Sequence, residues 1–222
     1  MSIHLHKEIQ RLKQGILSIG ATVEDNVRKA VEAVETRNTD LAKELIETDY
    51  EVDHMEVDLE ERSLMILALY HPVAVDLRFV VGVIKVNNDL ERIGDLSVNI
   101  AERVGFLASQ EKIALPFDFF GMAERVQAIL KNSLDALVNM DIALAKKTRL
   151  QDDEVDEYNA RMFEMVKDGL HDHTDQIDYL IHLLCISRHL ERIADLATNI
   201  CEDIIYMVEG EIVRHQAEDF SA

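Results

Sequence analysis

Carboxylate pairs one helical turn apart are the residues of this sequence best suited to chemistry. The first half of the chain holds Asp49/Asp53 and Glu91/Asp95, and the second holds Asp152/Asp156 and Glu191/Asp195. On a helix, residues four apart share one face. Two such helices side by side would therefore present four carboxylates to a common space, the oxygen-rich surround that hard cations take. One pair by itself says nothing: with 43 acidic residues in 222, about 8 pairs at this spacing arise by chance. The recurrence says more. Both kinds of pair survive in both halves while their neighbours change, Gly94 against Ala194, Ser97 against Ala197, Arg103 against Asp203. Like charges at this spacing also destabilise an isolated helix by about 0.2–0.5 kcal/mol, and a merely solvated face does not require them. Against this, Ile93, Leu96 and Ile100 lie opposite Glu91 and Asp95 on a helical wheel, the arrangement an ordinary solvent-facing stripe would show.

The stripe continues through Asn99 and Glu102, and in the second half through Asn199 and Glu202, which could add oxygen ligands or outer contacts. Arg92 and Arg192 adjoin the motifs and fit charge balance better than catalysis. Other candidates are weaker. Glu51 and His54 form an E-x-x-H element of the kind that di-iron bundles use in pairs, but the second half reads Glu154-Val155-Asp156-Glu157, so the pair is incomplete. His182 and Cys185 share a helix face without a further Cys or His at zinc-site spacing. His171 and His173 read as turn residues, His4 and His6 as exposed, and Met162, Phe163 and Met165 as core. No Gly-rich phosphate loop, nucleophile elbow or deaminase signature occurs. A carboxylate-bridged metal enzyme and a metal-free helical scaffold remain the alternatives to a binding role.

The elements that must hold these residues are helices. There are only two prolines and eight glycines, and 48% of residues are hydrophobic. Apolar spacing and stop signals divide the chain into six long segments: 3–37, 39–70 ended by His71-Pro72, 73–108, 119–140, one ending near 171, and 175–209 stopped by Gly210. The halves repeat. Leu90–Glu102 (LERIGDLSVNIAE) and Leu190–Glu202 (LERIADLATNICE) agree at nine of thirteen positions. Leu41–Asp53 (LAKELIETDYEVD) and Leu144–Asp156 (LAKKTRLQDDEVD) agree at seven of thirteen, in the same order and at nearly the same offset. The expected fold is all-α: an elongated tandem pair of antiparallel three-helix bundles related by internal duplication. The repeats are expected over 1–109 and 119–210, with a linker at 110–118 and a flexible acidic tail at 211–222.

Charge limits the partners. The 43 acidic and 23 basic residues give a net −20, which repels nucleic acid and anionic lipid and attracts cations or a basic protein surface. No segment approaches the roughly 20 apolar residues of a membrane span, so no direct membrane insertion is expected. The N-terminus carries no apolar signal region, and the two cysteines, Cys185 and Cys201, sit in apolar helical patterns, so a cytoplasmic protein with buried reduced thiols is expected.

Three stretches, DLERIGD (Asp89–Asp95), HLERIADLATNICEDIIYMVEG (His189–Gly210) and HPVAVDLRF (His71–Phe79), closely resemble segments of the PhoU family of phosphate-transport accessory proteins. The likeness runs from the first helix to Gly210, and the LERIxDxxxNIxE motif occurs twice. His71 stands where the family often has Gln. The resemblance implies two three-helix bundles whose acidic motifs bind multinuclear metal clusters at the surface. Iron is the metal most suggested, with Mg, Mn, Ca and Zn left open. It further implies a cytoplasmic negative regulator of phosphate uptake and of the phosphate-starvation response. Such a regulator would be an adaptor between the phosphate ABC transporter and a two-component sensor histidine kinase, not an enzyme, and a homodimer or higher homo-oligomer.

Overall fold

The structure is a computed structural model that describes residues 3–111, 117–172 and 174–213. Pro116, His173 and most of the acidic tail, all named above, lie outside the described residues. Every regular element among the described residues is helical: α1 (Ile3–Thr36), α2 (Thr39–Glu47), α3 (Asp49–Tyr70), α4 (Ala74–Ser109), α5 (Phe119–Asn139), α6 (Ile142–Arg149), α7 (Asp152–Asp172) and α8 (Ile177–Glu209), the last preceded by a single 3-10 turn at Thr174–Gln176.

The six expected segments are present, but the second and fifth are each divided. Asn38 caps α2 by accepting from the backbone N–H groups of Asp40 and Leu41, both at 3.1 Å. Asp141 caps α6 through Leu144 N–H at 3.0 Å. Both short helices end where a threonine hydroxyl bonds back to a carbonyl four residues earlier, Thr48 to Glu44 at 3.0 Å and Thr148 to Leu144 at 2.9 Å. That side-chain bond competes with the helical ladder and bends it. The break puts Asp49 in the first turn of α3 and Asp152 in the first turn of α7. The other stops behave as expected. His71 takes a left-handed φ of 45° before Pro72, and Gly210 ends α8 at φ 80° with its N–H on Tyr206 O.

In the first half α1, α2 and α3 pack on α4, and in the second α5, α6 and α7 pack on α8. The two halves join chiefly along α4 and α8, and one apolar core runs continuously through them. Gly82 allows the close approach of those two helices: a Cβ there would stand 2.5 Å from Met207 Cγ. Near the same crossing Lys85 Nζ meets the buried Asp203 at 2.9 Å. At the far end Arg103 pairs with no carboxylate among the described residues; its two Nη atoms each lie 3.4 Å from a ring nitrogen, of His182 and of His189.

Two side chains depart from their expected places. Phe163 points out to solvent, because its turn of α7 gives Met162 to a small second cluster with Val166 and Leu180. Of the two thiols only Cys201 is fully buried, and Cys185 is partly exposed. His4 and His6 are exposed as expected.

Candidate metal centres

The eight acidic residues gather at two places. In the first half, one carboxylate oxygen from each of Asp49, Asp53 and Asp95 lies within 4.8 Å of the other two. In the second half the corresponding trio is Asp156, Glu191 and Asp195. α3 meets α4 in the first half and α7 meets α8 in the second, so each motif pair faces its partner pair across a helix contact. The fourth member adjoins each trio without joining it, and it is a different member in each half: Glu91 in the first, Asp152 in the second.

The electrostatics show what the clustering costs. Burial, then the carboxylates of Asp53 and Asp95, pushes the Asp49 carboxyl above its usual range. Burial and Asp53 do the same to Asp95. Glu91 is raised by burial and by Asp95, Glu56 and Asp53. In the second half Glu191 and Asp195 are raised by burial and by their neighbours, with Arg192 pulling both back. Asp152 moves furthest, from 3.8 to about 7, through burial first and then Asp195 and Asp156. It then acts as a donor to the Asp195 carboxylate, and its Oδ1 is buried without a hydrogen-bond partner among the described residues. Each site therefore concentrates negative charge that the nearby Arg92, Arg188 and Arg192 only partly offset.

A cation would relieve that charge, and the donor set fits one. All donors are carboxylate oxygens, close enough to converge on a single ion, and the orphaned Asp152 Oδ1 lies beside the second trio. Neither trio includes the Cys or His that structural zinc sites draw on.

Other nominated residues stand apart. Glu202 is tied to Arg149 at 3.2 Å, and Glu102 is exposed. Arg92 and Arg192 are exposed and lower neighbouring carboxyls. His54 of the E-x-x-H element is exposed, edge-on to Tyr50. His182 stacks on Phe106 with ring centroids 4.2 Å apart. Glu56 adjoins the first cluster as an electrostatic neighbour of Glu91 and Asp53, and was missed. Its carboxyl is raised by burial and then by Glu60 and Asp53, and its Oε1 accepts from Asn87 at 3.4 Å. Its place three residues after Asp53 on one helix face was the available signal, but its counterpart in the second half is Asn159.

A duplicated helical bundle with a carboxylate cluster at the same place in each half, and with no helix among the described residues long and apolar enough to cross a membrane, defines the class. Comparison with known proteins places it further. The PhoU domain matches residues 16–104 and 120–204, and the chain belongs to the PhoU family. A phosphate-specific transport system accessory protein PhoU homolog of Aquifex aeolicus is 39% identical over 213 residues, 96% of each chain. The Escherichia coli K12 accessory protein PhoU is 32% identical over 99% of this chain and 91% of its own. The crystal structure of PhoU from Pseudomonas aeruginosa superposes with a TM-score of 0.88 at 30% identity, covering 93% of this chain and 99% of that one.

Proposed function

We propose that this protein is a regulatory adaptor of phosphate uptake. It acts as a negative regulator of the phosphate-starvation response, stands between the phosphate ABC transporter and a sensor histidine kinase in the cytoplasm, and turns over no substrate. The observation that carries this reading is the match along almost the whole chain to proteins named as accessory to the phosphate-specific transport system. The same reading takes 1–109 and 119–210 as the two repeats and includes self-association, which sedimentation velocity would measure. Deleting the gene should derepress phosphate-starvation genes in phosphate-replete medium. Full repression in the deletion strain would overturn the regulatory role.

The two carboxylate trios are, in this reading, cation sites that set conformation or partner binding without redox turnover. Oxygen-only donors favour hard ions such as Mg, Mn or Ca, while the family resemblance puts iron first and leaves Zn open. When bound, the ion would supply positive charge that lets the crowded carboxylates stay ionised together. Elemental analysis of protein purified without chelator tests this. Combined Asp95→Asn and Asp195→Asn should lose metal from both halves, and unchanged metal content would remove these positions as ligands.

A further inference from the structure

The duplication supplies an internal control for the outer face of α3. Offsetting α3 by 103 residues lays it on α7, and the buried positions coincide: Val52 on Val155, Leu59 on Met162, Ser63 on Val166. The register is therefore the same for the faces that point away. On α7 the outward positions Ala160, Lys167 and Asp168 are exposed, with the exposed Phe163 beside them, and in sequence Asp172 is the counterpart of Leu69. On α3 the same positions carry Val57, Leu64, Met65 and Leu69. Leu64 is 53% exposed, Met65 56% and Leu69 65%. At the positions of Leu64 and Met65 the architecture does not require apolar residues, since its own second copy carries Lys167 and Asp168 there. The apolar surface also turns the corner after Tyr70. The left-handed His71 and then Pro72 reverse the chain and leave Val73 74% exposed, with Val75 exposed beyond it. Scattered exposed apolar side chains are normal, but a contiguous stripe along one helix and over its end marks a docking face.

The charge around the stripe selects the occupant. Asp58, Glu60 and Glu61 are exposed along it against a single exposed Arg62, and Glu61 lies within the stripe itself, one turn from Val57, Leu64 and Met65. A second copy of this chain would bring acid against acid, on top of a net charge of −20 for each molecule. We propose that this face docks a helix of another protein whose apolar stripe is flanked by Lys and Arg. The apolar side chains of Leu64, Met65, Leu69 and Val73 would anchor it, and the acidic rim would set its orientation and reject acidic partners. This inference rests on neither the metal sites nor the phosphate assignment.

The test uses the full chain and a short fluorescein-labelled helix of Leu and Lys with leucines on one face, beside a twin carrying Glu for every Lys. Anisotropy is read at physiological salt, where exposed charges are screened beyond about 8 Å. The variant is Leu64→Lys with Met65→Asp, which installs the residues that α7 itself uses at those positions and leaves net charge unchanged. Val73→Lys, in the loop beyond the helix, is an independent second variant. The Lys helix should bind and its Glu twin should not. Each variant should weaken binding about tenfold, the scale of losing an anchor residue, while Lys167→Ala on α7 should leave it unchanged. Equal binding by wild type and both variants would overturn the proposal, because the peptide would then be reading bulk acidity. A wild-type dimer that Leu64→Lys with Met65→Asp splits into monomers would also overturn it, since a second copy would then be the occupant.

Discussion

Replacing Asp152 by Asn should stabilise the chelated protein and destabilise it, relative to wild type, once metal is present. The wild-type carboxyl has its pKa raised from 3.8 to about 7. A carboxyl raised on folding binds its proton more tightly in the folded state. Its contribution is therefore favourable at acid pH and is lost as pH rises from about 4 to about 7, after which the ionised group is a constant penalty. Three pKa units at about 1.4 kcal/mol each would make that penalty about 4 kcal/mol. Asp152 is only partly buried and water screens it, which brings the figure to about 2 kcal/mol. Asn has no charge to desolvate and its amide can still donate to Asp195.

In the presence of EDTA near pH 8, Asp152→Asn should therefore raise the melting temperature by about 4–8 °C, at 2–4 °C per kcal/mol for a chain of this size. Near pH 4, where wild-type Asp152 is protonated, the difference should vanish. Saturating metal reverses the sign, because binding at about a hundredfold over Kd adds about 2.7 kcal/mol to the form that binds, and the Asn variant has one carboxylate fewer beside its trio. Thermal melts followed by far-UV circular dichroism would measure all of this. If the advantage in EDTA persisted at pH 4, it would come from packing rather than charge. If no advantage appeared at pH 8, burial would not control this carboxyl.

Three further outcomes follow from the contact of α4 with α8. Gly82→Ala should cost about 1–2 kcal/mol by chemical denaturation, since overpacking against Met207 outweighs the gain in helix propensity; a stabilised variant would show that Met207 moves aside freely. His189 is held down to about 4 by burial and then by Arg103, Arg192 and Arg188, so the folded protein resists its protonation. Stability should fall by about 1–2 kcal/mol as pH drops from 6.5 toward 4 after allowance for screening, and His189→Gln should flatten that part of the profile. Burial pushes the Cys201 thiol up to about 12, while Cys185 is partly exposed. A thiol reagent near pH 8 should label Cys185 in the native protein and Cys201 only on unfolding, as peptide mass spectrometry would show.

The helix stops that rest on backbone chemistry were legible in the sequence, because proline after His71 and glycine at 210 leave few alternatives. The breaks after Thr48 and Thr148 were not. Neither contains Pro or Gly, and a threonine that bonds back to a carbonyl four residues earlier looks in sequence like any helical threonine. The acidic pairs were legible through repetition. Which three of each four converge was not, because that depends on how α3 and α7 are rotated against α4 and α8, a matter settled by core packing. Glu56 was lost for the opposite reason: a search for what the halves share passes over a residue that only one half has.

Departures from symmetry also show what the shared motif needs to stay folded. Glu202 ends the second LERIxDxxxNIxE motif and is largely enclosed, at 15% exposure, with Arg149 equally enclosed and 3.2 Å away. At the place of Arg149 the first half has Ile46, and there Glu102 is exposed instead. The same glutamate is thus solvated in one copy and paired in the other, so the pair is a substitute for water rather than part of the carboxylate cluster. Arg149→Ile should then remove this ion pair and cost about 1.5–3 kcal/mol, the range for losing a hydrogen bond to a charged group. Glu202→Gln added to Arg149→Ile should recover much of that loss, since an amide tolerates enclosure better than a charge without this ion pair. A double-mutant cycle by urea denaturation measures the coupling directly. If the two costs simply add, the ion pair does not hold the end of the motif, and the enclosure of Glu202 must be sustained by packing alone.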